Sequence, residues 1–211
     1  MKRHYTLILM MAGLLVAAGC SSSETPEDGA PAEPMPEFDE EDEHAEEEDE
    51  HAEVDEEGVL HMVAVADMYS GDEEHMGQVM FTQTEEGVEV HGRIESLDET
   101  LKGFHVHEYG ECDPPDFESA GGHFNPEGHP HGAPDAPPEE RHAGDFGNLE
   151  VDEDGVAEFT FVDNVVTLGA GTNDIVGKAL IVHYEEDDLQ TQPTGDAGPR
   201  AGCGIIEANT E

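Results

Sequence analysis

Two histidines near the middle of the chain are spaced so that they can share one bound ion. His105 and His107 lie at positions i and i+2 of Gly103-Phe-His-Val-His-Glu108, and on a β-strand such residues point to the same face. More imidazoles and one carboxylate follow, at His123, His131, His142, Asp145 and His183. Histidine is the commonest protein metal ligand. The later residues are enough in number to complete one metal site with His105 and His107 and to build a second site beside it.

The sequence that must position these residues is rich in short runs of strand-forming side chains. Such runs recur at 62–67, 77–82, 88–94, 104–107, 157–162 and 178–183. Turn signals separate them, among them Glu85-Glu-Gly87 and Asp152-Glu-Asp-Gly155, of which the second fits a tight hairpin. No stretch has the periodicity of a long amphipathic helix. Strands at this spacing, without intervening helices, predict an all-β fold, an antiparallel sandwich or barrel.

Two stretches, residues 108–150 and about 185–202, fit no strand, and loops of such length are usually functional. The first loop contains three short motifs, Gly121-Gly-His-Phe-Asn-Pro126, His129-Pro-His131-Gly132 and Arg141-His-Ala-Gly-Asp145. Together with Gly-Phe-His-Val-His-Glu, these motifs resemble the copper/zinc superoxide dismutases. The tail segment Gly195-Asp-Ala-Gly-Pro-Arg-Ala-Gly-Cys-Gly-Ile-Ile206 is similar to the second signature of that family. The resemblance runs from about residue 60 to residue 208.

The resemblance implies an all-β fold, an antiparallel Greek-key sandwich or barrel with two long functional loops, that binds copper and zinc. The copper ligands that it implies are His105, His107, His123 and His183. The zinc ligands that it implies are His123, His131, His142 and Asp145, so that His123 bridges both ions. Three imidazoles and one carboxylate suit tetrahedral Zn²⁺, and four imidazoles in a tetragonal arrangement suit Cu(II). The spacing of the family motif selects His131, which leaves His129 as a solvated loop residue.

The same resemblance implies the roles of three residues near the end of the chain. Asp187 takes the position of a carboxylate that links a copper histidine to a zinc histidine, and such partners fix the tautomer and orientation of a ring. Arg200 is expected beside the copper, where its charge attracts a small anion. Thr194 is expected at the opposite lip of the channel. Arg141, next to a zinc ligand, is expected to form a structural ion pair.

The implied reaction is the disproportionation of superoxide into oxygen and hydrogen peroxide by cycling between Cu(II) and Cu(I). His123 and Arg200 are its expected catalytic residues, since the bridging imidazole would carry a proton to the forming peroxide. The loop from Asp187 to Thr194 is shorter than in the animal enzymes and lacks their lysines, so long-range steering of superoxide is expected to be weak. The zinc-loop motifs are closer to those of the animal enzymes, which are dimers, and a homodimer is therefore a hypothesis by analogy.

The first residues of the chain have the features of a lipoprotein signal. Lys2 and Arg3 precede an apolar run from Leu7 to Ala18, which is followed by Gly19 and Cys20. This pattern predicts a signal peptide over residues 1–19 and resembles the bacterial lipobox, in which the cysteine is lipidated. The expected location is therefore the cell envelope, periplasmic or anchored to the outer membrane, with the lipid on Cys20 as the membrane contact.

The cysteine count agrees with export. If Cys20 carries lipid, Cys112 and Cys203 remain, and an oxidising compartment allows these two to form a disulfide. Such a bridge closes a loop of roughly 90 residues, and chain entropy alone would make it worth about 4 to 5 kcal/mol.

The chain is extremely acidic, with 53 Asp and Glu against 7 Lys and Arg. Of these acids, 19 lie in residues 21–57, where Ser, Pro, Glu and Asp dominate, and residues 20–57 are therefore predicted to be a disordered tether. His44 and His51 lie in a short repeat of this segment, which is either a solvated spacer or a loose metal-capturing element. The domain at 58–211 has 34 acids against five basic residues. This charge argues against binding of nucleic acid and is typical of proteins that work in concentrated salt.

One alternative to the enzyme is a non-catalytic lipoprotein of the cell envelope that stores or delivers copper, and its best support is the tether with His44 and His51. Another is a related domain that has lost activity. Storage, however, needs neither a bridging histidine nor a zinc set nor a lone arginine beside the copper.

Overall fold

The computed structural model describes residues 52–54, 60–98 and 100–209. The signal segment 1–19, Cys20, His44 and His51 lie outside the described residues. The ten strands are β1 Ala52–Val54, β2 Leu60–Ser70, β3 His75–Gln83, β4 Val88–Ile94, β5 Leu101–His107, β6 Asp145–Glu150, β7 Ala157–Asp163, β8 Ala179–His183, β9 Arg200–Ile205 and β10 Glu207–Ala208. Two short 3-10 helices lie in the first long loop, at Glu118–Ala120 and Pro138–Glu140.

The strands form one antiparallel sheet in the order β6-β5-β8-β9-β2-β3-β4-β7. β1 and β10 each pair with β2. The order places β5 beside β8, and β9 beside β2, although these strands are far apart in the chain. The sheet curls into a nearly closed barrel, as the spacing of the predicted strands indicates. Within the described residues, no helix is both long and apolar enough to span a membrane.

The barrel core is built from alternate residues of the strands. In β4, Val88, Val90, Gly92 and Ile94 are buried, whereas the three residues that alternate with them are exposed. Phe104 and Val106 of β5 also belong to this core. Because side chains alternate along a strand, the packing of these two residues directs His105 and His107 to the other face, toward the long loops.

A second apolar cluster joins the first long loop to the sheet. Phe117 and Ala120 of that loop pack against Ile181 of β8 and Cys203 of β9. Cys203 forms a disulfide with Cys112, 91 residues earlier in the chain, as the cysteine count predicts. The disulfide and the buried Phe117 ring therefore hold the metal-bearing loop against the strands that carry His183 and Arg200.

Three local expectations need correction. Residues 145–150 form β6, although Asp145, Gly147 and Asn148 are poor strand formers, because Phe146 and Leu149 are buried in the core. The turn at 152–156 closes through Gly155 N–H to Asp152 O, 3.0 Å. However, no hairpin forms there, since β6 pairs with β5, and β7 pairs with β4. Residues 52–54 lie within the predicted tether, yet they pair with β2.

Candidate metal centre

The first group of candidate ligands lies at the ends of two neighbouring strands. His105 and His107 are on β5, and His183 is the last residue of the adjacent strand β8. The loop brings His123 alongside, in a bridge to His107. One ligand nitrogen from each of the four buried imidazoles lies within 4.8 Å of the others. The structure thus brings together the set that the resemblance assigns to copper.

The second group shares His123 with the first. His123, His131, His142 and Asp145 are all buried, and their ligand atoms again lie within 4.8 Å of one another. The His105 and His123 rings stack with their centroids 3.9 Å apart. The second group is the set that the resemblance assigns to zinc. His129, the spare imidazole of the loop, belongs to neither group and lies 3.9 Å from the exposed Glu127.

The orientation of each ring in the first group is fixed through one nitrogen, which leaves the other without a partner. His107 Nδ1 donates to the carbonyl oxygen of Gly121 at 2.9 Å, and His183 Nδ1 donates to that of Gly198 at 3.0 Å. Since a carbonyl only accepts, the lone pair of both rings is on Nε2. In the first group, the buried nitrogens without a hydrogen-bond partner are His105 Nδ1, His107 Nε2, His123 Nε2 and His183 Nε2. Four neighbouring imidazoles that each keep one such nitrogen fit a metal ion that prefers nitrogen ligands.

Asp145 organises the second group. Its Oδ1 accepts from His123 Nδ1 at 2.8 Å, and its Oδ2 lies 3.1 Å from His131 Nδ1. His142 Nδ1 lies 3.3 Å from Oδ1. The Nδ1 atoms of His131 and His142 are buried and lack hydrogen-bond geometry. Three imidazoles around an ionised carboxylate fit tetrahedral zinc.

Asp187 joins the two groups. Its Oδ2 accepts from His105 Nε2 at 2.7 Å, and its Oδ1 accepts from His131 Nε2 at 3.0 Å. The side chain of Asn148 holds the main chain of Asp187 through two bonds of 2.8 Å, one to its N–H and one to its carbonyl. Asp187 thus lies where the resemblance places the linking carboxylate. Asn148 was missed in the sequence, because nothing in its spacing ties it to a residue 39 positions away.

Burial sets the protonation of the first group. Burial, followed by the neighbouring His123, lowers the pKa of His105 to about 3. Burial also lowers the pKa of His183 to about 4 and that of His107 well below its usual value. The first group therefore favours neutral imidazoles, which is the state that binds a metal.

Carboxylates set the protonation of the second group. Burial by itself would lower the pKa of His131, but its contacts with Asp145 and Asp187 outweigh burial and raise that pKa to about 9. Burial by itself would raise the pKa values of both carboxyls, but hydrogen bonds hold them below their usual range, mainly from His123 for Asp145 and from His105 for Asp187, with His131 contributing to both. Both aspartates are therefore ionised, as ligand and linking carboxylates must be.

Arg200 lies beside the first group. It is the first residue of β9 and pairs in register with His183. Its guanidinium donates to the carbonyl oxygens of Phe117 and Gly121. Burial lowers the pKa of Arg200, and the acidic Glu118 and Asp116, on either side of Phe117, oppose that shift. Arg200 is half-exposed and Thr194 is also partly exposed.

Arg141 has the structural role expected of it. Its side chain is buried and donates to Asp163 Oδ2 at 2.5 Å and to the main-chain oxygen of Asp145 at 3.1 Å. The guanidinium thereby fixes the main chain between His142 and Asp145 from the side of the barrel.

Comparisons with known proteins agree with this geometry. The family model described as copper/zinc superoxide dismutase matches residues 75–206. A double mutant of a SOD-like protein from Bacillus subtilis is 36% identical, with a TM-score of 0.63, and the match covers 68% of this chain and 96% of that chain. The unsubstituted SOD-like protein from Bacillus subtilis is 34% identical, with a TM-score of 0.62, over 67% of this chain and 97% of that chain.

A third similar structure is that of the clock protein EA4, which is 36% identical with a TM-score of 0.63 over 70% of this chain and 94% of that chain. The matched family binds copper and zinc, and the two histidine-rich groups could hold such ions. From its motifs, its barrel and these relatives, the chain belongs to the copper/zinc superoxide dismutase family.

Proposed function

We propose that the protein is an active superoxide dismutase, with copper bound by His105, His107, His123 and His183, and zinc bound by His123, His131, His142 and Asp145. The observation that carries this proposal is the position of His123, which belongs to both groups. Its Nε2 is buried without a hydrogen-bond partner, whereas its Nδ1 contacts Asp145 of the second group. A ring placed in this way can serve one ion through each nitrogen. A site that only stores copper has no need of such a shared ring.

The reaction combines two superoxide ions and two protons into one dioxygen and one hydrogen peroxide. A copper ion held by His105, His107, His123 and His183 would supply the one-electron redox chemistry of both half-reactions. The chain's own part is to move a proton, and His123 Nε2 is the atom placed to take up a proton and donate it to the peroxide. Asp145 holds the other side of the His123 ring, so that the ring keeps its orientation while the proton moves.

Arg200 attracts and orients the anion. Its pairing with His183 and its bonds to two loop carbonyls fix the guanidinium beside the first group. Thr194 forms the opposite lip of the channel. Because Arg200 is one of only five basic residues in 58–211, the approach of superoxide depends on this local charge rather than on the field of the whole domain.

We place the enzyme outside the cytoplasm, anchored to a cell-envelope membrane through lipid on Cys20. The signal pattern of residues 1–19 and the Cys112–Cys203 disulfide support this location. Residues 20–51 are the proposed tether, and β1 at 52–54 is the strand that follows it. A homodimer is the oligomeric state to test, by light scattering of the intact protein.

The test of the proposed function is superoxide consumption by the protein loaded with copper and zinc, with H183A as the control. We expect catalytic consumption by the wild type and a loss of most of it in H183A, which removes one copper nitrogen. A loaded wild type that binds copper but consumes superoxide no faster than H183A would contradict the proposal and support a storage protein or a domain that has lost activity.

A further inference from the structure

The loop that carries Asp187 also carries a residue that holds a proposed zinc ligand through its main chain. Gln192 is 61 residues from His131, yet its Oε1 accepts from the His131 N–H at 2.8 Å. Its Nε2 donates to the His131 carbonyl oxygen at 2.8 Å. One side-chain amide therefore pairs with both polar main-chain groups of His131. No pattern in the sequence marks Gln192 as a residue with a role at the metal centre.

His131 needs such support because its segment has no regular structure. Residues 125–137 contain no strand, bridge or helix, so no strand ladder fixes the main chain at His131, although the N–H of the next residue, Gly132, donates to Asp145 Oδ2 at 3.1 Å. The His131 ring is held by a hydrogen bond from Nε2 to Asp187 at 3.0 Å, whereas Nδ1 lies 3.1 Å from Asp145 without hydrogen-bond geometry. A ring held in this way still moves with its backbone. The Gln192 bonds are what fix that backbone relative to the Asp187 loop.

The exposure of Gln192 separates this role from packing. The residue is exposed, so shortening or replacing it opens no cavity in the core. Its remaining contact is to the main chain of its own loop, where Nε2 donates to the Gln190 carbonyl at 3.2 Å. The main structural effect of the Gln192 side chain is therefore to link its own loop to the loop that carries His131.

We propose that Gln192 is a positioning residue that holds His131 ready for zinc and so slows the release of that ion. The proposal rests on the zinc set of the proposed function, and it concerns retention of the metal rather than the chemistry at copper. Hydrogen-bond partners that orient a metal ligand typically change metal affinity by about 10- to 100-fold. Loss of both Gln192 bonds should accelerate zinc release by a factor in this range.

The test compares Q192M with Q190M in the full chain loaded with copper and zinc. Methionine has nearly the shape of glutamine but cannot make these hydrogen bonds. Gln190 is exposed on the same loop, and the one hydrogen bond of its side chain within the described residues goes to the Asp188 carbonyl, at 3.4 Å, so Q190M is a matched control. Zinc release to a coloured chelator is followed in time, and Co²⁺ in the zinc site reports the geometry through its visible spectrum.

We expect Q192M to release zinc about 10- to 100-fold faster than wild type and to alter the Co²⁺ spectrum, and Q190M to do neither. We also expect the rise in melting temperature on adding zinc to be smaller in Q192M. Zinc release from Q192M at the wild-type rate would overturn the proposal. The proposal would also be overturned if Q192M lowered the melting temperature equally with and without zinc, because a residue with a merely structural role would give that result. If wild type itself retains no zinc, the zinc set of the proposed function fails instead.

Discussion

Gly195 and Asp187 lie so close together that a Cβ on Gly195 would be 1.7 Å from Asp187 Oδ1. The same Cβ would be 2.7 Å from His131 Nε2. Gly195 also has φ +66°, in the region that favours glycine. The carboxylate that links the two metal groups can therefore keep its place only because residue 195 has no side chain.

A Gly195→Ala substitution should displace the Asp187 carboxylate and loosen both groups. We expect zinc content and dismutase activity to fall together, by roughly tenfold or more, since Asp187 orients one histidine of each group. The measurement is metal content by mass spectrometry beside superoxide consumption.

Gly177→Ala is the matched control for backbone strain. Gly177 has φ +77°, but no atom lies within 4 Å of its would-be Cβ. The Gly177→Ala variant should lose only the free energy of unfolding that a left-handed backbone conformation costs an alanine, about 1 kcal/mol, and it should keep its full metal content. Equal metal content in the two variants would show that the contact with Asp187 does not matter.

Removal of the Arg200 charge should slow the enzyme without emptying the copper site. Arg200→Gln should lower the rate constant with superoxide by about tenfold or more, because the local attraction for the anion is lost. Arg93→Gln removes the same charge from the exposed outer face of β4 and should leave the rate nearly unchanged. Copper content and the Cu(II) spectrum check that the site stays loaded. A wild-type rate in Arg200→Gln would refute the guiding role.

The two acids beside Phe117 should act in the opposite direction. Asp116 and Glu118 flank the residue whose carbonyl holds Arg200, and their charges act on that guanidinium. The double substitution D116N/E118Q should therefore raise the rate constant at low salt, by about two- to tenfold. The control E89Q/E158Q removes two exposed acids from β4 and β7. If both double variants gain equally, only net charge matters and the acids beside Arg200 have no special role.

Stability should depend strongly on salt. The domain at 58–211 has 34 acids against five basic residues, and its self-repulsion is screened as the Debye length falls from about 10 Å at 0.1 M salt to about 3 Å at 1 M. We expect the melting temperature of the metal-loaded protein to rise by several degrees or more over that range. Full stability at low salt would contradict adaptation to concentrated salt.

The parts of the fold that could be predicted are those whose signal is local. Runs of strand formers place β2, β3, β4, β5, β7 and β8, because alternation along a strand shows in the sequence itself. β6 was missed because Asp145 is a proposed ligand and Gly147 and Asn148 are poor strand formers. Its pairing with β5 is a property of the closed sheet, not of the residues 145–150 alone.

The candidate ligands could be predicted because histidines in family motifs keep a fixed order. The supporting contacts could not, since each joins a side chain to a main chain far away. Asn148 holds Asp187 from 39 residues away, Gln192 holds His131 from 61, and Arg200 donates to Phe117 from 83. Every residue offers main-chain groups, so the type of the partner residue carries no information about such a contact. The contact therefore cannot be predicted from the sequence.

The most direct test of the central claim is to count turnovers of superoxide by the protein loaded with copper and zinc. Superoxide is added in large excess over the protein in molar salt, and its decay is followed by stopped-flow absorbance, with oxygen and peroxide measured at the end. We expect many turnovers per copper, a decay rate proportional to the concentration of loaded protein, and half a dioxygen and half a peroxide per superoxide. Consumption that stops after about one superoxide per copper would contradict the central claim.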